Sequence, residues 1–136
     1  MNSPPLPRVL VAEDDAAIRR LLAATLRRRG LDVRLAGDGA EALQALEAEM
    51  WDAVVLDLMM PSVTGWELVQ WLHDHPARRP RSIVIMSAAG RDALRDLDPS
   101  IVNAIFFKPF DVLQLGHYVS GAVRLDGRDR RRGRRT

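Results

Sequence analysis

The sequence contains no cysteine, one lysine and few aromatic residues. The lack of cysteine excludes disulfides and thiolate metal sites. No apolar run is long enough to cross a bilayer, and residues 1–7 lack the charged head and apolar stretch of a signal peptide. With an ordinary 47% of apolar residues over 136 positions, these absences predict one globular domain of a cytoplasmic protein, with no membrane among its partners.

Nineteen of the twenty basic residues are arginine, so the chain contains a single lysine. The single lysine, Lys108, follows a short apolar run and precedes a proline. A compact ammonium is a point charge that fits beside a phosphoryl or carboxylate group, whereas a guanidinium is larger and forked. Two interpretations of Lys108 follow, an accident of composition or a site that requires an ammonium.

The basic residues are concentrated at the C-terminus. Residues 124–136 carry seven arginines and two aspartates, so the other 123 residues are net negative, with 13 basic and 16 acidic side chains. The pI near 9.9 is therefore largely a property of the tail, and we expect no nucleic-acid binding by the body of the protein. We predict a disordered leader over residues 1–7, a folded domain over 8–125 and an Arg-rich disordered tail over 126–136.

Short apolar segments alternate with amphipathic helical patterns along the chain. Strands are predicted at Val9–Ala12, Leu31–Leu35, Ala53–Leu56, Ile83–Met86 and Ala104–Phe107. Five such βα units favour a parallel sheet covered by helices on both faces. Between the last two strands, Pro99 disfavours helical geometry at Asp98, so we predict a shortened or irregular fourth helix.

Side chains able to do chemistry stand at the carboxyl ends of four strands. Glu13 and Asp14 follow the first strand, and the other three positions are Asp57, Ser87 and Lys108. In open parallel sheets, ligands bind outside these strand ends, where the strand order switches. Three clustered carboxylates repel one another, and Mg²⁺, which prefers oxygen ligands, relieves that repulsion. A carboxylate can also form an acyl phosphate, with countercharge from a hydroxyl and an ammonium.

In their order and spacing, these residues resemble the receiver domain of two-component response regulators, over about residues 8–123. The motifs are Val11-Ala12-Glu13-Asp14-Asp15, Asp57-Leu58-Met59-Met60-Pro61 with Gly65, Ser87-Ala88, and Lys108-Pro109. The resemblance implies that residues 8–125 form an α/β receiver domain of the flavodoxin-like, doubly wound class. Its five-stranded parallel sheet would have the order 2-1-3-4-5, with helices on both faces.

The resemblance also implies a role for each motif residue. Asp57 would accept the phosphoryl group, Ser87 would hydrogen-bond to it and Lys108 would form an ion pair with it. Mg²⁺ would be held by the carboxylates of Glu13, Asp14 and Asp57. The backbone carbonyl of Met59 would be its fourth protein ligand. The Lys108–Pro109 peptide is expected to be cis.

The function implied is that of a single-domain response regulator. It would accept a phosphoryl group from a histidine kinase or phosphotransfer protein and signal by docking to a downstream protein that the sequence does not identify. A homodimer that forms on phosphorylation is a further expectation. We expect no enzymatic role beyond assistance to its own phosphorylation and slow dephosphorylation. Hydrolases of the haloacid-dehalogenase type place a second aspartate two residues after the nucleophile, where this chain has Met59.

Two alternatives stay open. Three residues before Lys108, where the family usually has an aromatic residue that moves inward on phosphorylation, this chain has Ile105. The protein could therefore be a degenerate receiver that binds its partner constitutively. The Arg-rich tail could instead bind nucleic acid or another acidic surface through salt-sensitive contacts, although a solvated tail is the simpler interpretation.

Overall fold

The computed structural model describes residues 5–124. The strands are β1 Arg8–Ala12, β2 Asp32–Ala36, β3 Ala53–Asp57, β4 Ser82–Ser87 and β5 Ala104–Phe107. The α-helices are α1 Ala16–Arg28, α2 Gly39–Ala48, α3 Gly65–Asp74 and α4 Val112–Arg124. The predicted leader is described only over residues 5–7, and the predicted tail over 126–136 lies outside the described residues. Within residues 5–124, every helix is too short or too polar to span a bilayer.

The five strands form one parallel sheet of order β2-β1-β3-β4-β5. The predicted flavodoxin-like, doubly wound α/β fold is thereby confirmed. The order reverses at β1, because β2 pairs with one of its sides and β3 with the other. This switch places the carboxyl ends of β1 and β3 next to each other, and such a crevice is where open α/β sheets bind ligands.

Two helical layers cover the sheet because successive residues of a strand face opposite sides. In β1, Val9 and Val11 pack in one cluster with side chains of α1 and α4. Leu10 and Ala12 pack in a second cluster with side chains of α2 and α3. These four side chains are fully buried. Both faces of β1 are therefore anchored, which fixes the position of the acidic residues that follow it.

Each of the four α-helices begins after a side chain that accepts a hydrogen bond from a backbone amide of the first turn. Asp15 Oδ1 accepts a hydrogen bond from Ile18 N at 3.0 Å, and Asp38 Oδ1 accepts one from Glu41 N at 2.8 Å. Thr64 caps α3 in the same way. Such caps satisfy amide groups that a helix start leaves without partners. Because Asp15 caps α1, Glu13 and Asp14 are the acids of the run that remain available for a ligand.

The connection between β4 and β5 contains no α-helix, which confirms the prediction of a shortened or irregular helix between these two strands. A short 3-10 helix covers Arg91–Leu94 and is followed by turns. Asp98 Oδ1 accepts hydrogen bonds from the amide and the hydroxyl of Ser100, at 2.9 and 2.6 Å. Together with Pro99, this turn prevents continuation of a helix.

Two side chains of α3 hold this irregular segment in place. Trp66 Nε1 donates a hydrogen bond to the carbonyl of Ala93 at 2.9 Å. His73 Nε2 lies 3.4 Å from Asp98 Oδ2. Leu97 and Ile101 are buried in the same core cluster as α2 and α3. The segment therefore closes one face of the sheet without forming a regular helix.

Candidate functional site

The acidic residues lie at the strand ends on either side of the switch. Glu13 follows β1, and its amide donates to the carbonyl of Ala36 at 3.1 Å, which extends the pairing with β2 by one residue. Asp57 is the last residue of β3 and is 3% exposed. Glu13 is fully buried, whereas Asp14 is exposed. The site therefore has a buried floor of two carboxylates and one carboxylate at its mouth.

These three carboxylates form a cluster that suits a divalent cation. One oxygen from each of Glu13, Asp14 and Asp57 lies within 4.8 Å of the others. Mg²⁺ prefers oxygen ligands and is commonly bound by a few carboxylates together with water and substrate phosphate. The donor set and its spacing therefore fit the cation that the sequence implies.

Lys108 joins two of the three acids. Its Nζ lies 2.6 Å from Glu13 Oε1 and 2.9 Å from Asp57 Oδ2. The backbone amide of Lys108 donates to the carbonyl of Ser87 at 2.7 Å, which fixes the start of the loop after β5. The Lys108–Pro109 peptide is cis, as predicted. The single lysine of the chain is thus an ion-pair partner at the acidic cluster, which favours a site that requires an ammonium over an accident of composition.

Met59 contacts the cluster through Asp57, and Ser87 ends the neighbouring strand β4, but their predicted roles stay predictions. The Ser87 hydroxyl is buried at the end of β4, accepts from Ala89 N at 3.0 Å and lies 3.3 Å from the Ala89 carbonyl. The amide of Met59 donates to Asp57 Oδ1 at 3.1 Å, while its side chain is 57% exposed. Asp57 Oδ1 is therefore oriented by the loop that follows it and Oδ2 by Lys108.

The protonation states of Glu13 and Lys108 are coupled to this geometry. Burial raises the pKa of Glu13 to about 7, and hydrogen bonding and repulsion from Asp57 act in the same direction while Lys108 opposes them. Burial disfavours the charged form of Lys108, but its bonds to Glu13 and Asp57 outweigh that effect and raise its pKa. The ammonium therefore stays charged at neutral pH, when Glu13 is near its midpoint.

Raising the pH from about 5 to about 8 without divalent cations should lower the free energy of unfolding by about 1–3 kcal/mol. The pKa of Glu13 is higher in the folded protein than in the unfolded chain, so the folded state binds more protons in this interval. A state that binds more protons loses stability as the pH rises. Urea unfolding in EDTA across this range measures the trend. Glu13→Gln, which cannot ionise, should flatten it, and an identical slope in both proteins would rule out Glu13 as its cause.

Gly65 is a structural part of the site. A Cβ at this position would lie 2.5 Å from the carbonyl oxygen of Asp57 and from the Cα of Leu58. Gly65 N also donates to the carbonyl of Leu58 at 2.9 Å. The start of α3 therefore packs directly on the backbone that follows the phosphoacceptor candidate. The sequence indicates a glycine of a helix start here, but not this close approach, because the contact depends on how α3 docks.

Arg19 belongs to the site although the sequence does not distinguish it. Its Nη1 donates to the carbonyls of Glu13 and Asp14, at 2.8 and 3.3 Å. An arginine one turn into a helix is the only available signal, and Arg20 shows the same signal beside it. In a chain so rich in arginine, spacing alone cannot select one of the two.

Ile105 lies where the family usually has an aromatic residue. It is half-buried at the edge of the core cluster that contains α2 and α3, beside Leu94, Leu97 and Val102. Phe106 points to the opposite cluster and contacts Phe110 edge to face, with ring centroids 6.2 Å apart. The two neighbouring residues of β5 therefore face opposite layers, as the strand period requires.

A sequence profile of the response regulator receiver domain matches residues 9–120. Among curated relatives, the transcriptional activator protein PfeR of Pseudomonas aeruginosa is 40% identical over 88 residues, which are 65% of this chain and 28% of PfeR. The DNA-binding dual master transcriptional regulator RpaA of Synechocystis is 34% identical over 113 residues, 81% of this chain and 46% of RpaA. The chain thus spans less than half the length of either relative.

A solved structure agrees with the sequence matches. The receiver domain of the Francisella response regulator 1452 is 29% identical to this chain, with a TM-score of 0.77. The superposition covers 87% of this chain and 97% of that domain. The similarity therefore extends over nearly the whole length of that receiver domain.

Proposed function

The chain belongs to the response regulator receiver domain family, and we propose on that premise that it accepts a phosphoryl group on Asp57 in a reaction that requires Mg²⁺. The proposal rests on the contacts of Lys108, whose ammonium bridges the carboxylates of Glu13 and Asp57 in the acidic cluster. This arrangement holds two anionic carboxylates close together and places the Lys108 ammonium where a further anionic group can bind.

The reaction is a displacement at phosphorus. A carboxylate oxygen of Asp57 forms a new bond to the phosphorus of a phosphohistidine, and the bond from phosphorus to the imidazole nitrogen breaks. The imidazole keeps the electron pair, and Asp57 becomes an acyl phosphate. Receiver domains take their phosphoryl groups from histidine kinases or phosphotransfer proteins, so we assign the donor of this chain to that class.

The chain contributes alignment and charge to this step. Met59 N and Lys108 Nζ hold the two oxygens of Asp57, which orients the nucleophile. When bound by Glu13, Asp14, Asp57 and the carbonyl of Met59, Mg²⁺ would supply positive charge for the phosphoryl oxygens. Lys108 would exchange its bond to Asp57 for one to the phosphoryl group, and the Ser87 hydroxyl would donate to a second phosphoryl oxygen.

Metal removal tests this proposal. Beryllofluoride mimics a phosphoryl group on a carboxylate. In the presence of Mg²⁺ it should therefore shift the amide NMR signals of Asp57, Ser87 and Lys108, and the shifts should saturate as beryllofluoride is added. In EDTA the same signals should stay unchanged, because the carboxylates alone repel the anion. Mg²⁺ without beryllofluoride and beryllofluoride without Mg²⁺ serve as the two controls. A full response in EDTA would refute the requirement for the cation.

The same experiment distinguishes the proposed function from the alternative of a degenerate receiver. Ile105 and the irregular segment after β4 motivate it, since both depart from what the family usually shows. If neither Mg²⁺ nor beryllofluoride changes the spectrum, the domain does not accept phosphoryl groups and constitutive partner binding is favoured. The downstream partner, the expected homodimer and the cytoplasmic location stay predictions. Nucleic-acid binding by residues 126–136 stays an alternative to a solvated tail.

A further inference from the structure

The loop between β1 and α1 carries two of the three clustered carboxylates and is held by contacts of its backbone. Glu13 N is bonded to the carbonyl of Ala36, and Asp15 N donates to Glu13 Oε2 at 3.2 Å. The carbonyls of Glu13 and Asp14 remain, and both accept from one side chain, Arg19. Arg19 therefore ties together the backbones of both acids.

The position of the Arg19 guanidinium is itself fixed. Arg19 lies in the first turn of α1, where its amide donates to the carbonyl of Asp15 at 2.9 Å. Its side chain is half-buried and lies against Gly37, so that a Cβ there would be 3.4 Å from Nη1. Both bonds come from Nη1 at the far end of the side chain, whereas a lysine ammonium would end one bond nearer the backbone and would not reach both carbonyls with the same geometry.

We propose that Arg19 is a positioning residue, whose guanidinium holds the carbonyls of Glu13 and Asp14 and thereby sets the two carboxylates at the spacing that a divalent cation needs. This inference rests on the proposed Mg²⁺-dependent function. It assigns to Arg19 no contact with the cation or the phosphoryl group. Groups that orient metal ligands commonly contribute about 10–100-fold to metal affinity.

The sign of the effect distinguishes positioning from simple charge. Arg19 is a cation near an acidic cluster, so on Coulomb's law alone its removal should strengthen Mg²⁺ binding. If Arg19 acts by positioning, its removal should weaken binding. The two explanations therefore predict opposite changes for one substitution.

The experiment is a Mg²⁺ titration followed by the amide NMR shifts of Asp14, Asp57 and Lys108, with fully folded protein. For Arg19→Met we expect the dissociation constant to rise about tenfold. Arg20→Met is the matched control, since Arg20 is the exposed neighbour on the same helix and its substitution removes the same charge. It should leave the dissociation constant unchanged or slightly lower. Arg19→Lys keeps the charge and part of the hydrogen bonding, so its constant should lie between those of the wild type and Arg19→Met.

The outcomes separate this inference from the proposed function. If the wild type shows no saturable Mg²⁺ response, the proposed function fails. If the wild type binds and Arg19→Met binds equally well or more tightly, the inference about Arg19 fails and the proposed function stands. If Arg19 had only a structural role, Arg19→Met would lower the free energy of unfolding in urea and leave the Mg²⁺ dissociation constant of the folded protein unchanged. If Arg19→Met does not fold, unaltered affinity in Arg19→Lys would overturn the inference.

Discussion

Asp57→Asn is expected to abolish phosphoryl uptake, with a loss of at least about 10³-fold. The side-chain amide keeps the size of the carboxylate and an oxygen that can accept from the amide of Met59, so the fold should persist. The amide is a very poor nucleophile, and it removes one of the three clustered anionic groups. Incubation with acetyl phosphate and Mg²⁺, followed by intact mass measurement, gives the fraction of chains that have gained one phosphoryl group.

A second aspartate provides the control for that result. Asp96 is exposed on the irregular segment between β4 and β5 and does not belong to the acidic cluster. Asp96→Asn should take up phosphoryl groups like the wild type. Undiminished uptake by Asp57→Asn would mean that another side chain is the acceptor, and a loss in both variants would indicate a general effect on the fold. Circular dichroism of each variant reports on folding.

Gly39→Ala is expected to destabilise the protein by about 3 kcal/mol or more, because the new methyl group has no room. A Cβ at Gly39 would lie 1.6 Å from the carbonyl oxygen of Val63 and 2.4 Å from its carbon. Both atoms belong to the backbone, so no rotamer change relieves the overlap. The start of α2 is also bonded to this loop, since Gly39 N donates to the carbonyl of Pro61 at 3.4 Å. Urea unfolding of the variant and the wild type measures the difference.

The matched control for this substitution is Gly121→Ala. Gly121 lies within α4, and a Cβ there would meet nothing within 4 Å. Alanine in an open helical position should stabilise the protein by about 0.5–1 kcal/mol. Equal and small effects at both glycines would show that the loop after β3 moves freely away from α2. That outcome would weaken the view that α2 helps to fix the loop following Asp57.

Much of the fold could be predicted because its signals are local. The continuous apolar strands and the interruption at Pro99 each act over a few neighbouring residues. The strand order came from a resemblance rather than from these signals, since apolar strands of similar composition pair equally well in several orders. Once the order is known, strand-end residues must meet at one edge of the sheet.

Some of the contacts at the site that could not be predicted are local, and others depend on packing between distant elements. The Ser87 hydroxyl bonds to the backbone of Ala89 in its own loop, which no spacing in the sequence indicates. The close approach of Gly39 to Val63 arises from the docking of α2. The contact of Arg19 with the acidic loop is local, but the sequence does not distinguish Arg19 from Arg20. Sequence patterns identify which residues can do chemistry, whereas the supporting contacts follow only from the assembled fold.

The central claim is that Asp57, within a Mg²⁺-binding cluster, is the phosphoacceptor, and chemical trapping tests it most directly. After reaction with acetyl phosphate, borohydride reduces an aspartyl phosphate to homoserine, which tandem mass spectrometry locates in the sequence. We predict homoserine at position 57 in samples that contain Mg²⁺ and none in samples that contain EDTA. Homoserine at another aspartate, or equal amounts at position 57 with and without Mg²⁺, would contradict the account.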